Sequence, residues 1–267
     1  MRIDVAFGPT GLTSSELAGR PVFVIDVLRA TTTICAALHA GARAVVPVSS
    51  TEEALRMAQT LGSQDAMLAG ERNCEPIPGF ALGNSPVEMT SEVVQGRTIV
   101  MTTTNGTRAL LAAASGSVVY AAAGVNLDVA AARARELLAD RADLLVLCAA
   151  REQAFAMDDA FAAGQLILAA LEGRRIRKGL NDAALVSVDL ARRYGPRFDR
   201  ALKVSAAGRH LRAIGRGDDV ARAAELNRHP VLPVMRDRRI VDALAVPALR
   251  PPVSPAAADS SSPGHAS

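Results

Sequence analysis

The stretch VFVIDVLRATTT, residues 22–33, carries the pattern from which the fold class of this chain follows. Its mostly apolar residues 22–28 predict a strand, RATTT predicts a polar loop, and the Ala-rich residues 34–40 predict a helix that ends before Gly41. Residues 44–48, AVVPV, predict the next strand. Because the apolar run is continuous rather than alternating, we expect both faces of this strand to be covered.

The same order of elements recurs further along the chain. Strands are predicted at residues 98–101, 117–122 and 144–148, and helices at 108–114 and 158–171. Strands and helices that alternate at this spacing predict an α/β fold with three layers, α/β/α, on a largely parallel or mixed sheet. A Thr triplet follows each of the strands at 22–28 and 98–101, so we interpret the two units as a weak internal repeat, compatible with a duplication.

The last part of the chain is predicted to be mostly helical and to end in a hairpin. Helices are expected at residues 181–194, 198–214 and 218–226, and hairpin strands at 231–235 and 239–243. No long Gly, Ser or Pro linker divides the chain, so we predict one α/β domain over residues 1–246. A division of this domain into two subdomains is also compatible with the sequence. Residues 247–267 are rich in Pro, Ser and Ala and predict a disordered tail.

Charge is distributed unevenly along the 267 residues. Residues 1–172 carry 12 Arg, no Lys and 18 Asp or Glu, a net charge of −6, whereas residues 173–267 carry 18 Lys or Arg and 9 Asp or Glu, a net charge of +9. A basic last third would fit a nucleic-acid partner. However, the sequence has no helix-turn-helix, zinc-finger or RNP motif, and aromatic residues make up only 3%, so we expect no nucleic-acid partner.

Other classes are excluded by cysteine, histidine and hydropathy patterns. Three widely spaced Cys and four His without an i, i+4 pair argue against a disulfide framework and a structural zinc site. The sequence shows no apolar run of about 18 residues and no secretory signal, so we expect no membrane partner and a cytoplasmic location. Large Ala- and Leu-rich helix faces permit a homodimer.

Asp26 is the first candidate for chemistry, because it interrupts the apolar strand in which it lies. A carboxylate in such surroundings is costly unless it is paired, hydrogen-bonded or bound to a cation. Arg29, three residues on, could be its ion-pair partner. Alternatively, Arg29 holds an anion while Asp26 acts as a metal ligand or a nucleophile.

The Thr triplets at residues 31–33 and 102–104 lie just before predicted helices. Their hydroxyls could cap those helices. With Arg29 and Arg108 beside them they could also bind phosphate, which the free N–H groups of a helix N-terminus attract. Because ligands of open α/β sheets lie beyond the carboxyl ends of strands, we expect both Thr loops and the loop after Cys148 to open onto the same sheet edge.

A long polar loop and a pair of adjacent carboxylates complete the candidates. Residues 70–86 form the loop, which carries Glu71, and such a loop is uncommon unless it is functional or disordered. Asp158 and Asp159 could simply complement a helix dipole. With Asp26 and Glu71, however, they make an oxygen-rich set without His or Cys, and such hard ligands suit Mg²⁺ rather than zinc.

At these residues the chain resembles the 2-phosphosulfolactate phosphatase family. The resemblance rests on motifs that occur in the same order over roughly residues 1–245: VIDVLRATTT (24–33), GERN (70–73), PGFALGNSP (78–86), TTTNGTRAL (102–110), LLVLCAAREQAFAMDDAFAAG (144–164), SAAGRHL (205–211) and VLPVM (231–235). The resemblance implies a magnesium-dependent phosphatase of a distinct α/β/α fold. It further implies hydrolysis of (2R)-2-phospho-3-sulfolactate to 3-sulfolactate and phosphate, a step of coenzyme M biosynthesis.

The resemblance also implies roles for individual residues. Those implied to be catalytic are Asp26, Arg29, Glu71 and Asp159, and those implied to bind the metal are Asp26, Glu71, Asp158 and Asp159. The predicted substrate-binding residues are Thr31, Thr32, Thr33, Arg72, Asn73, Asn84, Thr103, Thr104, Asn105 and Arg108. The chain departs from the family pattern at Arg151 and Gln153, where smaller residues are expected, and at Asp158, where Glu is usual.

Three alternatives stay open beside this interpretation. The substrate could be a different small anionic phosphomonoester. Asp26 could form a covalent aspartyl-phosphate, as in haloacid-dehalogenase-type phosphatases, although those carry a second Asp two residues on, where this chain has Leu28. The chain could instead bind an anionic metabolite without turnover, but converging carboxylates would repel a dianion in the absence of a metal.

Overall fold

A computed structural model describes residues 2–62, 65–174 and 179–245, so the tail predicted at 247–267 lies outside the described residues. Numbered in chain order, the strands are β1 Ile3–Ala6, β2 Pro21–Ile25, β3 Ala44–Pro47, β4 Ala66–Arg72, β5 Glu75–Pro76, β6 Thr98–Thr102, β7 Val118–Ala122, β8 Leu144–Cys148, β9 Pro233–Arg236 and β10 Arg239–Asp242. The helices are α1 Ser14–Leu17, α2 Ala30–His39, α3 Thr51–Leu61, α4 Ser91–Val94, α5 Gly106–Ala112, α6 Leu127–Ala139, α7 Met157–Leu171, α8 Asp182–Tyr194, α9 Phe198–Val204, α10 Ala206–Ala213 and α11 Gly217–Ala223.

The strands form one mixed sheet in the order β1-β8-β2-β7-β9-β10-β3-β6-β4-β5. The first four strands are mutually parallel, and so are β3, β6 and β4. Between these two groups lies the antiparallel hairpin β9–β10, which pairs antiparallel with β7 on one side and with β3 on the other. The predicted mixed sheet is thus confirmed, and the two parallel groups run in opposite directions.

Each of the two Thr-containing units has one strand in each parallel group, and the two units run between the groups in opposite directions. The unit β2-α2-β3 begins in the first group and ends in the second, whereas β6-α5-β7 begins in the second and ends in the first. Helices α2 and α5 each contact strands of both groups. This reciprocal arrangement is what the internal repeat in the sequence would produce.

Helices cover both faces of the sheet, which confirms the predicted α/β/α layering. One core cluster joins the first group to α6, α7, α8 and the short helices after them. A second cluster places α2 and α5 against strands of both groups, and a third joins the second group to α3. All residues of β2, β6 and β8 are buried, as expected for strands that are covered twice.

Several predicted boundaries differ from the observed ones for local reasons. Helices α2 and α5 begin earlier than predicted, so residues 31–33 lie in the first turn of α2 rather than in a loop. The helix predicted at 198–214 is two helices, because Ser205 ends α9 and its hydroxyl accepts the Gly208 N–H as the N-cap of α10. No helix in the described part of the chain is long and apolar enough to cross a membrane.

Candidate active site

The four carboxylates predicted to act together line one cavity of about 180 Å³. Asp26 directly follows β2, Glu71 lies in β4, and Asp158 and Asp159 lie in the first turn of α7. All four residues are buried, with exposed fractions between 3% and 8%. Asp and Glu side chains are almost never buried unless a partner offsets their charge. The convergence of four such side chains therefore marks the cavity as the candidate active site.

The route by which these residues meet differs from the expected one. The loops after β2 and β8 do share a sheet edge, since these strands are parallel neighbours. The strands β4 and β6 belong to the group that runs the other way, so the expectation that both Thr loops open onto one edge is wrong. The loops meet because α2 and α5 pack between the two groups and bring the start of α5 to the start of α2.

Gly106, the first residue of α5, allows this approach. A Cβ atom built on Gly106 would lie 2.4 Å from Oδ2 of Asp26 and 2.4 Å from Cβ of Ala30, closer than real Cβ contacts. The glycine in the TTTNGT motif is therefore required by the close contact of the two loops rather than by its own backbone angle.

Burial and mutual repulsion raise the pKa values of the carboxyl groups. Burial, followed by the charges of Glu71 and Asp158, raises the pKa of Asp26 to about 7. Burial raises the pKa of Asp158 to about 6. Burial, together with Asp158 and Asp26, raises the pKa of Asp159 well above its ordinary value. At neutral pH the cluster therefore either retains protons or requires a cation, because adjacent carboxylates cannot all ionise without compensation.

Two of the carboxylates also hold the loops together. Glu71 accepts hydrogen bonds from the backbone N–H groups of Cys74 at 2.8 Å and Thr104 at 2.7 Å, and from the Thr104 hydroxyl at 3.0 Å. Oδ1 of Asp159 accepts the backbone N–H of Val27 at 3.0 Å. Glu71 thus links the loops after β4 and β6, and Asp159 links α7 to the loop after β2.

Arg29 is buried at the cavity, but its ion-pair partner is Asp219 rather than Asp26. Nη1 of Arg29 donates to Oδ2 of Asp219 at 2.7 Å, and Nη2 donates to the Cys74 carbonyl at 3.0 Å. Asp219 also accepts a hydrogen bond from the Ser85 hydroxyl. Asp219 lies in α11, 190 residues from Arg29, and no local motif in the sequence indicated it.

The threonines of the first triplet support the backbone around Asp26. The Thr31 hydroxyl donates to the Asp26 carbonyl and the Thr32 hydroxyl to the Val27 carbonyl, each at 2.8 Å. The Thr33 hydroxyl lies 3.1 Å from the carbonyls of Arg29 and Asn84. All three side chains are fully buried, so these hydroxyls fix the turn that positions Asp26 and Arg29.

The predicted substrate-binding residues divide into two sets. Those that line the cavity are Asn73, Asn84, Thr104 and Asn105. Those outside its lining are Thr31, Thr32, Thr33, Arg72, Thr103 and Arg108. In the second set, Arg72 donates to the Glu71 carbonyl and to the Thr102 hydroxyl, Thr103 bonds to Thr107, and Arg108 is exposed on α5.

Asn84 has an unsatisfied acceptor at the cavity. The residue is 4% exposed, and its Oδ1 atom is buried without a hydrogen-bond partner. A buried acceptor without a partner costs about 1–3 kcal/mol. A side chain that lines a cavity at this cost is typical of a group that awaits a ligand.

Sequence reasoning assigned no role to three further residues of the cavity wall: Cys74, Arg151 and His210. In the sequence, Arg151 stands out only as a departure from the family pattern, and His210 lies in the SAAGRHL motif on α10. The loop after β8 also carries positive φ angles at Ala150 (66°), Glu152 (50°) and Gln153 (67°). Such backbone strain in residues other than glycine concentrates at ligand sites.

The oxygen atoms that line the cavity can be compared with the ligands that the predicted Mg²⁺ requires. Within the described residues, no group of three or more His, Cys, Asp or Glu side chains is spaced to hold a metal ion. Mg²⁺, however, usually binds through one or two carboxylates and completes its shell with water and substrate phosphate. The cavity offers carboxylate oxygens and the unsatisfied Asn84 oxygen, so its chemistry fits Mg²⁺ that binds together with a substrate.

Comparison with known proteins gives a consistent result. A sequence model of the family described as 2-phosphosulpholactate phosphatase matches residues 8–238. A relative from Symbiobacterium thermophilum, named probable 2-phosphosulfolactate phosphatase, is 42% identical over 228 residues, which cover 85% of this chain and 96% of the relative. Relatives of the same name from Carboxydothermus hydrogenoformans and Thermus thermophilus are each 39% identical, over 87% and 81% of this chain and over 92% and 88% of their own lengths. The resemblance drawn from the motifs is confirmed.

Proposed function

The chain belongs to the 2-phosphosulfolactate phosphatase family, and from this premise we propose that it hydrolyses (2R)-2-phospho-3-sulfolactate to 3-sulfolactate and phosphate with the help of Mg²⁺. Membership makes the chain a phosphatase, a hydrolase of phosphoric monoesters. The observation that carries the proposal is the convergence of four buried carboxylates beside Arg29 in one small cavity.

The size of the cavity supports a small substrate. Pockets for drug-sized ligands measure roughly 300–1,000 Å³. The cavity here is about 180 Å³, which suits a three-carbon phosphorylated acid and is too small for a nucleotide. A different small anionic phosphomonoester would fit the same space, so other phosphomonoesters have to be tested beside phosphosulfolactate.

The balance of charge supports a metal cofactor. Asp26, Glu71, Asp158 and Asp159 face the cavity, whereas the charge of Arg29 is already compensated by Asp219. When these carboxylates are ionised, they would repel a phosphate dianion unless a cation were present. We assign Asp26 and Asp158 as the residues that would hold Mg²⁺, since Oδ1 of Asp159 and both oxygens of Glu71 accept hydrogen bonds from the protein. Bound Mg²⁺ would neutralise the carboxylates and withdraw charge from the phosphate oxygens.

The protein's own groups supply the remaining chemistry. Arg29 is held in place by Asp219 and the Cys74 carbonyl, and its other N–H groups are available to the equatorial phosphate oxygens. In its ionised form, Asp159 accepts the proton of the attacking water at its carboxylate, which burial makes a stronger base than that of an ordinary Asp. Water attacks phosphorus and gives a proton to Asp159, the bond from phosphorus to the C2 oxygen breaks, and the released alkoxide takes up a proton from solvent while Asp159 returns its own to solvent.

The test is phosphate release by the purified protein from phosphosulfolactate and from a panel of other phosphomonoesters, with Mg²⁺ and with a chelator. We expect release from phosphosulfolactate only with the metal. Asp26→Asn should lower kcat by about 10³-fold while the fold persists, because it removes a carboxylate from the reacting centre. The matched control is Asp189→Asn, whose carboxylate is exposed on α8.

Three results would argue against the assignment. Full activity of the Asp26→Asn protein would remove Asp26 from the mechanism. A phosphoaspartate trapped on Asp26 with a fluoride analogue would replace attack by water with covalent catalysis. Absence of release from every substrate, with and without Mg²⁺, would favour the alternative of an anion-binding protein.

Location in the cytoplasm and assembly into a homodimer remain predictions.

A further inference from the structure

Arg151 contributes a cationic side chain to the wall of the cavity. Its guanidinium makes no hydrogen bond and no ion pair within the part of the chain that the structure describes, although Glu152 is its neighbour and both residues line the cavity. Arg29, by contrast, is neutralised by Asp219 at 2.7 Å. A half-buried guanidinium without a hydrogen-bonded partner has shed part of its hydration and still has N–H donors free, so an anionic ligand would bind there at little further desolvation cost.

The two arginines lie at different places around the cluster. Arg29 is held by hydrogen bonds to Asp219 of α11 and to the Cys74 carbonyl, whereas Arg151 makes neither contact. Arg29 comes from the start of α2 and Arg151 from the loop after β8, so the two guanidiniums reach the cavity from different elements.

A substrate that fills such a cavity meets two cationic positions. Arg29, beside Asp26 and the α2 N-terminus, faces the place of the scissile phosphate in the proposed function. We propose that Arg151 is a specificity-determining residue that pairs with a second acidic group of the substrate, a carboxylate or sulfonate separate from the phosphate. This inference rests on the proposed function and adds to it the residue that selects phosphorylated acids over simple phosphomonoesters.

The local backbone supports a fixed position for Arg151. The residue forms an isolated antiparallel bridge with Ala154, with backbone hydrogen bonds of 3.0 and 2.8 Å in the two directions. The next residue, Glu152, donates its N–H to Oδ1 of Asn105 at 3.3 Å, which ties the loop to the one after β6. The guanidinium is therefore presented by a constrained turn, as the recognition of one group of a small ligand requires.

The experiment compares Arg151→Gln, Arg151→Lys and the wild type on three substrates. These are phosphosulfolactate, 2-phospholactate, which lacks the sulfonate, and an analogue in which the carboxylate is reduced to an alcohol. On phosphosulfolactate, Arg151→Gln should lose about 10²-fold in kcat/KM, mostly through KM, and Arg151→Lys should recover part of it. On the analogue that lacks the group bound by Arg151, the same substitution should cost less than about 3-fold. The matched control is Arg193→Gln on the exposed face of α8.

Two outcomes would overturn the inference and leave the proposed function intact. One is an equal loss on all three substrates, which would place Arg151 at the phosphate or at the carboxylate cluster. The other is no loss on phosphosulfolactate. If the wild type hydrolyses none of the substrates, the proposed function fails. In that case, calorimetry of 3-sulfolactate, which has no phosphate, tests the role of Arg151 independently of turnover. Binding by the wild type but not by Arg151→Gln supports the role of Arg151. Equal binding by both proteins, or binding by neither, overturns it.

Discussion

Nη1 of Arg29 donates a hydrogen bond to Oδ2 of Asp219 at 2.7 Å, and both side chains are at least 96% buried. The pair connects the loop after β2 with α11, and the Ser85 hydroxyl on the other Asp219 oxygen adds the loop before α4. The basic last third of the chain therefore reaches the candidate site through one of its few carboxylates. Its net charge of +9 gives no indication of this contact.

Loss of the Asp219 carboxylate should destabilise the protein and weaken substrate binding. Asp219→Ala leaves a buried guanidinium without its partner, which typically costs about 3–5 kcal/mol. Asp219→Asn keeps a hydrogen-bond acceptor and should unfold less easily than the Ala variant while raising KM by about 10-fold, because Arg29 is held less firmly. Urea unfolding and steady-state kinetics measure the two effects. Asp218→Asn, at an exposed neighbour, is the control, and equal behaviour of Asp218→Asn and Asp219→Asn would contradict the prediction.

A methyl group at position 106 should disturb the reacting centre. Gly106→Ala would place Cβ 2.4 Å from Oδ2 of Asp26, so either the Asp26 side chain or the start of α5 must move. Displacement of about 1 Å at a catalytic group commonly costs about 10²-fold in rate, and we expect a loss of that size in kcat. Gly217→Ala is the control, because its Cβ would meet no atom closer than 3.9 Å. Wild-type kcat in Gly106→Ala would show that the loops are not held as closely as described.

Asn84 should contribute to catalysis at a cost in stability. Because its Oδ1 is buried without a partner, Asn84→Ala removes an unsatisfied acceptor and should leave the free energy of unfolding unchanged or raise it by about 1 kcal/mol. The same substitution should raise KM by about 10-fold if the oxygen meets the ligand or its metal. Thermal unfolding and kinetics on one preparation test both parts. A large loss of stability with unchanged KM would assign Asn84 to the scaffold instead.

The sequence predicts those features that depend on neighbouring residues. The strand at 144–148 is predicted with the bounds that it has, because five consecutive residues with large apolar or sulfur-containing side chains follow Asp143 and are succeeded by two alanines. The acidic residues of the cavity also stand out, since Asp26 interrupts an apolar run and a carboxylate there needs compensation. The start of α2 at Ala30 is predicted four residues too late, because Thr31 and Thr32 belong to the helix while their buried hydroxyls donate to the carbonyls of Asp26 and Val27 in the preceding loop.

Long-range relationships are not visible in the sequence. The ion pair between Arg29 and Asp219 spans 190 residues, and the reversal of strand direction across β9–β10 depends on which edges pair. The position of His210 in the cavity wall cannot be predicted for the same reason, since α10 reaches the site only through the packing of the last four helices. Periodicity and turn chemistry act over a few residues and carry no information about such pairings.

His229 provides a prediction for the dependence of stability on pH. The residue is 7% exposed, neither ring nitrogen has a hydrogen-bond partner, and its ring lies 4.9 Å from that of His39. Burial, followed by the charges of His39, Arg228 and Arg222, lowers the pKa of His229 to about 4. Since the unfolded chain has the ordinary value of about 6.5, the unfolded state binds more protons between these two pH values. The contribution of His229 to stability is therefore full above pH 6.5 and is lost as the pH falls towards 4.

Substitution by Phe isolates this contribution from that of the carboxylate cluster. The raised pKa values of Asp26 and Asp158 act in the opposite direction, because there the folded state binds more protons, so stability falls as the pH rises from the ordinary Asp value of about 4 to about 6 to 7. Both proteins contain the carboxylate cluster, so its pH-dependent contribution cancels in the difference in unfolding free energy between wild type and His229→Phe. We expect that difference to change by about 2 kcal/mol between pH 7 and pH 4, a figure reduced for partial solvent screening. His39→Gln should shrink the change by removing one repelling charge, and a pH-independent difference would mean that His229 is protonated as easily in the folded protein as in the unfolded chain.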